Sequence, residues 1–385
     1  MIRVLHVITR LTLGGSSENT VASVLALDRA GYTCALAAGL AESEAATVED
    51  ARRRGCRILD VPSLGREVAP LRDLTTLRDL RRLMLRERPH IVHTHTSKAG
   101  FVGRLAARLA RVPAVIHQPH GHIFYGYYGP LRTALFVLLE RVAARWTDRI
   151  ITLTERGTEE HLARRIGRRE RFVTVPSGVP VAGLRTSAPS RGAARARLGL
   201  PPAAFVIAGL GRLVPVKGFD LLVRALPAIL TEVPGAHVVL IGDGPERGAL
   251  EALATRLGVA HRLTLTGATR EVAACLAGAD VVAAPSRNEG MGRALVEAMA
   301  LGIPVVGTAV GGIPGVIADG EAGRLVPPED PAALARALAS LGRDPALGRK
   351  LGEAGARRAE QFSTETAERS LLAAYASLVR DKRLA

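Results

Sequence analysis

The sequence predicts an α/β protein made of two doubly wound halves, each a parallel sheet flanked by helices. Three observations carry that expectation. Short apolar runs rich in Val and Ile alternate with longer amphipathic stretches along the whole chain, which is the pattern of strand–helix units around a parallel sheet. The runs form two series separated by an irregular segment of Pro, Gly, Ser and Arg. The length of 385 residues suits two domains at roughly 150 residues each.

In chain order the first series of strands is Arg3 to Thr9, Cys34 to Ala38, Ile91 to Thr94, Ala114 to Ile116 and Arg149 to Leu153. The apolar start is broken by Arg3, His6 and Arg10 and runs into Gly14-Gly15, so it reads as a buried strand and not as a secretory leader. Val175 to Pro202 lacks sheet-like alternation and is expected to be a linker. The second series is Phe205 to Gly209, His237 to Ile241, Leu263 to Thr266, Val281 to Ala284 and Pro304 to Gly307. Residues 1–183 and 184–362 are therefore expected to be the two domains. The hydrophobic share of 48% against 23% charged excludes a disordered chain. No window approaches the roughly 18 uncharged apolar residues of a membrane span, so any membrane contact is expected to be peripheral. Cys34, Cys56 and Cys275 are scattered without a C-x-x-C pair, which excludes a disulfide framework and a cysteine zinc site and fits a cytoplasmic location.

The formal charge of +16 favours phosphate-bearing or acidic partners. Residues 1–190 carry 29 basic and 17 acidic side chains, which leaves only +4 for the remainder. Arg88 to Leu139 holds no Asp or Glu, so a carboxylate-dependent hydrolase centre has no place there. The same window holds His90, His93, His95, His117, His120 and His122 and the aromatic cluster Phe124, Tyr125, Tyr127 and Tyr128.

Three segments can carry chemistry. Gly14 and Gly15, directly after the first strand and ahead of the amphipathic run Val21 to Ala30, offer helix N-terminal N–H groups to a phosphate or an oxyanion. An ordinary turn with Ser16 or Ser17 as N-cap would read the same. The second segment, Gly209 to Asp220, follows the first strand of the second half. It is not a dinucleotide fingerprint, because Val214 stands where the third small residue belongs, nor a Walker A loop. It leaves Arg212 and Lys217 as a clamp for a diphosphate, or as a solvated basic turn. In the third, Ser286 to Ala300, Glu289 precedes a helix mouth at Gly290, Met291, Gly292 and Arg293. Glu297 lies eight positions on and leans back toward that mouth. N–H groups would take phosphate and carboxylates would take hydroxyls.

Glu289-Gly-Met-Gly-Arg-Ala-Leu-Val-Glu297, followed by Ala-Met-Ala-Leu-Gly-Ile-Pro-Val-Val, resembles the E-x7-E signature of the retaining GT-B glycosyltransferases of family 4. The resemblance extends through Gly14-Gly15, His93-Thr94-His95, Gly211-Arg212, Lys217-Gly218, Gly242 to Pro245, Thr266-Gly267, Gly311 to Pro314, and Asp319-Gly320 to Val326-Pro327. It implies a GT-B fold of two Rossmann-like domains facing across a cleft, with the acceptor in the first and the nucleotide-sugar in the second. The last helix, 363–385, is expected to cross back to the first domain. By the family pattern Arg212 and Lys217 hold the donor diphosphate, Glu289 the sugar hydroxyls and Glu297 the ribose, while His120 is the active-site histidine. Transfer with retention, by front-face attack and without a metal, is implied. A UDP-sugar is the first expected donor and a GDP-sugar the second, and no cofactor beyond that co-substrate is expected. The sequence departs from the family pattern at Met291, where an aromatic is usual, and at Arg293, where an aliphatic is usual. Arg293 is expected to add a cation to the diphosphate. Ser177 to Pro180 also departs, in the linker.

His93 and His95, two apart on a strand, share a face and are expected to line the cleft; a metal on them with His120 or His122 is not expected. His117 reads as structural. Pro130 to Arg141 forms a very apolar helix, and burial of Leu131 to Leu139 is expected over the alternative of an interfacial anchor on anionic lipid. The expected function is transfer of a sugar to a hydroxyl of a glycan or polyprenyl-linked acceptor. A nucleotide-sugar 2-epimerase would need first-domain carboxylates that Arg88 to Leu139 lacks. A basic nucleic-acid-binding protein would need more stacking aromatics than 3%.

Overall fold

A computed structural model describes residues 1–121, 124 and 129–384. The chain divides into two compact units, Met1–Ser177 with Ala367–Ala385, and Gly178–Thr366. The division falls at Ser177 and not at residue 183. The reason is local: Val181–Ser187 is a helix whose Arg185 donates to the Ala300 and Ala356 carbonyls of the second unit.

Among the described residues the first unit holds a seven-stranded sheet. Its strands are β1 (Arg3–Ile8), β2 (Thr33–Ala38), β3 (Ile58–Asp60), β4 (Ile91–His95), β5 (Ala114–Gln118), β6 (Arg149–Thr152) and β7 (Phe172–Thr174), in the order β3-β2-β1-β4-β5-β6-β7. The second unit holds β8 (Phe205–Leu210), β9 (Ala236–Ile241), β10 (Leu263–Gly267), β11 (Val281–Ala284), β12 (Val305–Thr308) and β13 (Arg324–Val326), in the order β10-β9-β8-β11-β12-β13. All neighbours pair parallel. Parallel strands covered on both faces read as continuous apolar runs, which is why the central strands are legible in the sequence. The three-residue strands β3, β7 and β13 escape the sequence pattern because they are too short to show one.

The expected linker is not irregular throughout. Besides Val181–Ser187 it contains the helix Arg191–Arg197, whose Ser190 side chain caps Ala193 N–H. The buried Arg195 pairs with Asp280 at 2.5 Å, and the same Asp280 oxygen accepts from Val206 N–H at the start of β8.

Strand order reverses between β1 and β4 in the first unit and between β8 and β11 in the second. In open α/β sheets such switch points leave a crevice at the carboxyl ends of the strands. All the segments with candidate chemistry leave those ends: Gly14-Gly15 after β1, His95 at the end of β4, Lys217 after β8 and Glu289 after β11. On the first sheet, residues alternate between two cores. Val4 and Ile8 pack with Leu371, Tyr375 and Leu378 of the helix Thr364–Lys382, while Leu5 and Val7 pack on the other face with Leu80 and Ala106. His6, between Leu5 and Val7, therefore shares the face of Tyr375.

Candidate functional site

In the second unit the loop after β8 closes against the loop after β11. Gly218 has φ +65°, and a Cβ there would stand 2.0 Å from the Pro285 carbonyl oxygen, so only glycine lets the two backbones meet. Arg287 ties them together. Its N–H donates to the Val216 carbonyl at 2.8 Å, its Nη1 to the Pro215 carbonyl at 2.7 Å, and its guanidinium grips Asp220 at 2.7 and 3.0 Å and Glu329 at 2.6 Å. Burial pushes the Asp220 carboxyl up, and the Arg287 bonds outweigh that and leave it below its ordinary value. The result is a direct pair between Lys217 Nζ and Glu289 Oε2 at 2.5 Å, with Ser286 Oγ 3.5 Å from the same oxygen.

The far side of the Glu289 loop rests on two more glycines. A Cβ on Gly311 would lie 2.0 Å from the Glu289 carbonyl oxygen and one on Gly312 would lie 2.2 Å from that of Gly290, while Gly312 N–H donates to the Glu289 carbonyl at 2.9 Å. The helix Arg293–Ala300 then starts from Gly292, at φ +95°, with no side-chain cap, and its first turn presents backbone N–H groups toward the mouth. Met291 is buried beneath. Glu297 lies 3.8 Å from Arg293 Nη2; burial raises its carboxyl above the ordinary value, against Arg293 and Lys217, which lower it. Arg293 Nη1 donates to the Gly178 carbonyl at 2.8 Å, so the departure at Ser177 to Pro180 does reach this helix mouth. Arg212 is exposed and its guanidinium has no partner among the described residues. Lys217, Glu289, Arg293, Glu297 and Gly290 to Gly292 thus come together around one helix start. Arg287 and Gly311 escaped the sequence reading as site residues.

In the first unit Gly14 is itself the N-cap of the helix Gly15–Arg29, and neither Ser16 nor Ser17 caps it. Ser17 Oγ instead accepts from Thr12 N–H at 3.0 Å, and Thr20 donates to the Ser16 carbonyl at 2.8 Å. The first helical bond runs from Glu18 N–H to Gly14 O, so the N–H groups of Gly15 to Ser17 face out of the helix. His120 lies against this first turn, with Nδ1 3.4 Å from Asn19 Nδ2 and Nε2 3.4 Å from Thr20 Oγ1.

Behind it the histidines do not line an open face. His93 and His95 are fully buried, as is His6. His120 Nε2 lies 2.9 Å from His95 Nδ1, His95 Nε2 lies 3.0 Å from His6 Nδ1, and His93 Nδ1 lies 2.9 Å from the Tyr375 hydroxyl. Burial lowers His120 to about 4 and His6 to about 3, and holds His93 and His95 well below the ordinary value. His6, His93 and His95 each place a nitrogen within 4.8 Å of the others, a different set from the metal set considered in the sequence. Both nitrogens of His95 are already taken by His6 and His120. His117 is held by Thr94 at 3.0 Å, against Gly100, in a structural position. Glu140, the first carboxylate after the acid-free window, is taken by the buried Arg104 at 2.7 Å.

His122 and Tyr125, Tyr127 and Tyr128 of the aromatic cluster lie outside the described residues; Phe124 is buried. The helix Pro130–Ala144 corrects the expected burial. Leu131, Leu135 and Leu138 are exposed at 89%, 53% and 54%, and its buried residues are Ala143 and Ala144. It packs on the unit through Val137 and its carboxyl end. Among the described residues no helix is long and apolar enough to cross a membrane.

A family model described as "Glycosyl transferases group 1" matches residues 190–358, and one described as "Glycosyl transferase 4-like domain" matches residues 14–178. The D-inositol 3-phosphate glycosyltransferase of Streptomyces bingchenggensis is 36% identical over 310 residues, 76% of this chain and 68% of that protein. The UDP-Gal:alpha-D-GlcNAc-diphosphoundecaprenol alpha-1,3-galactosyltransferase of Escherichia coli is 31% identical over 259 residues, 66% of this chain and 67% of that protein. The chain thus spans about two thirds of the length of these relatives. Among solved structures, sucrose-phosphate synthase from Thermosynechococcus elongatus superposes with a TM-score of 0.83 at 22% identity, over 99% of this chain and 100% of that one. Anabaena Alr3699/HepE in complex with UDP and glucose superposes at 0.81 and 21%, over 98% and 100%. At these identities the structural likeness speaks for the fold.

Two outcomes follow from this packing. Gly311→Ala should cost more stability than Gly320→Ala. Both glycines are left-handed, a strain of about 1–3 kcal/mol for another residue, but Gly320 has nothing within 4 Å of an added Cβ. Thermal unfolding of the two variants checks this, and equal losses would mean that the Glu289 loop is not wedged on Gly311. Stability should also fall as pH drops from about 6.5, where unfolded histidines take protons, to 4.5, where glutamates begin to. In that window His6, His93, His95, His117 and His120 stay neutral in the fold and charge on unfolding, so the unfolded state binds more protons. Urea unfolding at pH 7 and pH 5 measures it, and a flat profile would mean that the rings are not held neutral.

Proposed function

The chain belongs to the group 1 glycosyl transferases, with the GT-B architecture, and from that premise we propose that it is a retaining enzyme moving a sugar from UDP to a hydroxyl of a lipid-linked or glycan acceptor. The observation that carries the donor half is the Lys217–Glu289 pair at the mouth of the Arg293–Ala300 helix. A pyrophosphate would take Lys217 from Glu289 and draw in Arg212 as well as the backbone N–H groups of the helix start. Glu289, released, is left to accept from sugar hydroxyls, and Glu297 from the ribose. Arg293 holds the Gly178 carbonyl and neighbours Glu297, so its proposed part is to shape the mouth; a direct bond to the diphosphate would require it to leave Gly178. Cations and backbone N–H groups then meet the charge of the leaving diphosphate, which is the service a metal would otherwise supply.

UDP is favoured over GDP by the Escherichia coli relative, whose name states a UDP-galactose donor and a diphosphoundecaprenol acceptor. The basic balance of residues 1–190 supports an acceptor that carries phosphate. The inositol phosphate named for the Streptomyces relatives has the same chemistry and is the second reading. The exposed Leu131, Leu135 and Leu138 recur on one face of a helix that also carries Arg132, and they support docking on an anionic bilayer surface, where a lipid-linked acceptor would be met.

Calorimetric titration with UDP, GDP and ADP in EDTA should select UDP. Lys217→Ala should weaken that binding about tenfold or more, as befits a lost charged hydrogen bond of ~1.5–3 kcal/mol. Glu289→Gln should keep the fold and lose transfer, and unchanged turnover would remove Glu289 from the reaction. Co-sedimentation with vesicles containing phosphatidylglycerol should fall in the Leu131→Ser, Leu135→Ser double variant. Equal binding by both forms would end the docking reading of this helix.

A further inference from the structure

The histidine stack runs inward from His120 to a group outside the proposed transfer chemistry, the phenol of Tyr375. Three contacts link it: His120 to His95, His95 to His6, and His93 to Tyr375. It breaks once, between His6 and His93, which are partners in register on β1 and β4 with ring centroids 5.0 Å apart. On either side of that break the Nε2 atoms are buried and have no hydrogen-bond partner. A neutral imidazole has one N–H and one lone pair, so a ring that accepts at one nitrogen donates at the other. The proton positions of His120, His95 and His6 are therefore coupled through hydrogen bonds, and those of His6 and His93, across the break, through ring proximity alone.

Two directions are open, and Tyr375 distinguishes them. Its side chain is fully buried, and His93 Nδ1 is the one hydrogen-bonding group in reach of its hydroxyl among the described residues. If His93 donated to the phenol, the phenol proton would be left buried without an acceptor, which is costly. Against that stands one contact of 3.4 Å, from His120 Nε2 to Thr20 Oγ1. The Asn19 contact does not choose, because turning its amide over offers an oxygen in place of the nitrogen.

We propose that Tyr375 polarises the stack and so presents His120 as a hydrogen-bond donor at Nδ1. The phenol donates to His93 Nδ1, which leaves the His93 proton on Nε2, and across the break the neighbouring His6 ring keeps its proton on Nδ1, away from Nε2. His6 Nδ1–H donates to His95 Nε2, and His95 Nδ1–H donates to His120 Nε2. The His120 proton is thereby fixed on Nδ1, the edge beside Asn19. A ligand oxygen at that edge meets an N–H, so His120 binds and orients it and does not take a proton from it. Tyr375 is a positioning residue, acting through three rings. The catalytic consequence rests on the placing of His120 at the transfer site, whereas the tautomers belong to the ligand-free chain and are read without any substrate.

The test is long-range 1H–15N correlation NMR on the full chain labelled with 15N-histidine, which distinguishes protonated from unprotonated ring nitrogens. The expected spectrum has the proton on Nδ1 of His6, His95 and His120 and on Nε2 of His93. A proton on His120 Nε2, or on His93 Nδ1, overturns the proposal, and the wild-type chain alone decides this. Tyr375→Met then replaces the donor by a sulfur that can only accept, and the His120 proton should move to Nε2 in a measurable share of molecules. A folded Tyr375→Met chain with His120 unchanged removes Tyr375 as the source. Loss of UDP binding or of the Glu289 requirement would leave these spectra as they are, so failure of the transfer reading and failure of this proposal are separate results.

Discussion

The guanidinium of Arg287 is the contact on which the second unit's site depends. It reaches backward to the Pro215 carbonyl, which lies two residues before Lys217, and sideways to Asp220 and Glu329, while its own backbone stands two residues before Glu289. With that grip in place Lys217 and Glu289 have little choice but to meet. A bidentate, half-buried arginine–carboxylate contact holds geometry better than an exposed ion pair, because its planar fork admits few alternative poses. The glycines finish what Arg287 begins. At Gly218, Gly311 and Gly312 the missing Cβ lets three backbone segments touch around one helix start. The Lys217–Glu289 pair is therefore a consequence of the loops, and a ligand can break it without dismantling the framework that aims both side chains.

The first unit solves a different problem. Its histidines lie where a parallel sheet normally buries aliphatic side chains, and a charged ring there would be severely penalised. The solution is neutrality. Burial depresses every ring from His6 to His120, and ring-to-ring bonds stand in for water at His6 Nδ1, at both nitrogens of His95 and at His120 Nε2. Tyr375 joins the same network from a helix at the far end of the sequence, whose Leu371 and Leu378 pack with Val4 and Ile8.

How much of this was legible in the sequence depended on whether the signal was periodic. Glu289 and Glu297 could be read together because helix geometry converts a spacing of eight into a shared end. The central strands could be read because both their faces are apolar. Arg287 could not be read, since an arginine between a strand and a helix looks like any solvated charge until its partners, 67 and 42 residues away, are known. His6 was passed over as a break in the apolar run of β1, and His93 and His95 were expected to line the cleft because a spacing of two on a strand puts them on one face without saying whether that face is buried. Leu131 to Leu139 misled in the opposite sense. Apolar composition does not say which side of a helix the core occupies, and here Ala143 and Ala144 are buried and Val137 packs beside them, while Leu131, Leu135 and Leu138 stay exposed. The Arg-rich stretch after Val175 read as a linker because much of its order comes from partners far along the chain, Asp280 for Arg195 and the Ala300 and Ala356 carbonyls for Arg185.

Both units use the same backbone device, a strand followed by glycine and then an uncapped helix start, at the point where strand order reverses. They surround it with opposite chemistry. In the second unit the N–H groups of the Arg293–Ala300 helix are flanked by fixed charges, Lys217 and Arg212 against Glu289 and Glu297. Such a mouth discriminates by charge and suits a diphosphate whose negative charge grows as its bond to the sugar breaks. In the first unit the N–H groups after Gly14 are flanked by His120, Asn19 and Thr20, none of which carries a charge at neutral pH. That mouth can orient an oxygen by hydrogen bonds but does little to stabilise a full negative charge. On the proposed reading the division is a functional one. The half that must hold a leaving group carries the cations, and the half that must position a neutral hydroxyl keeps its histidines uncharged by burying the rings behind the one that meets the ligand.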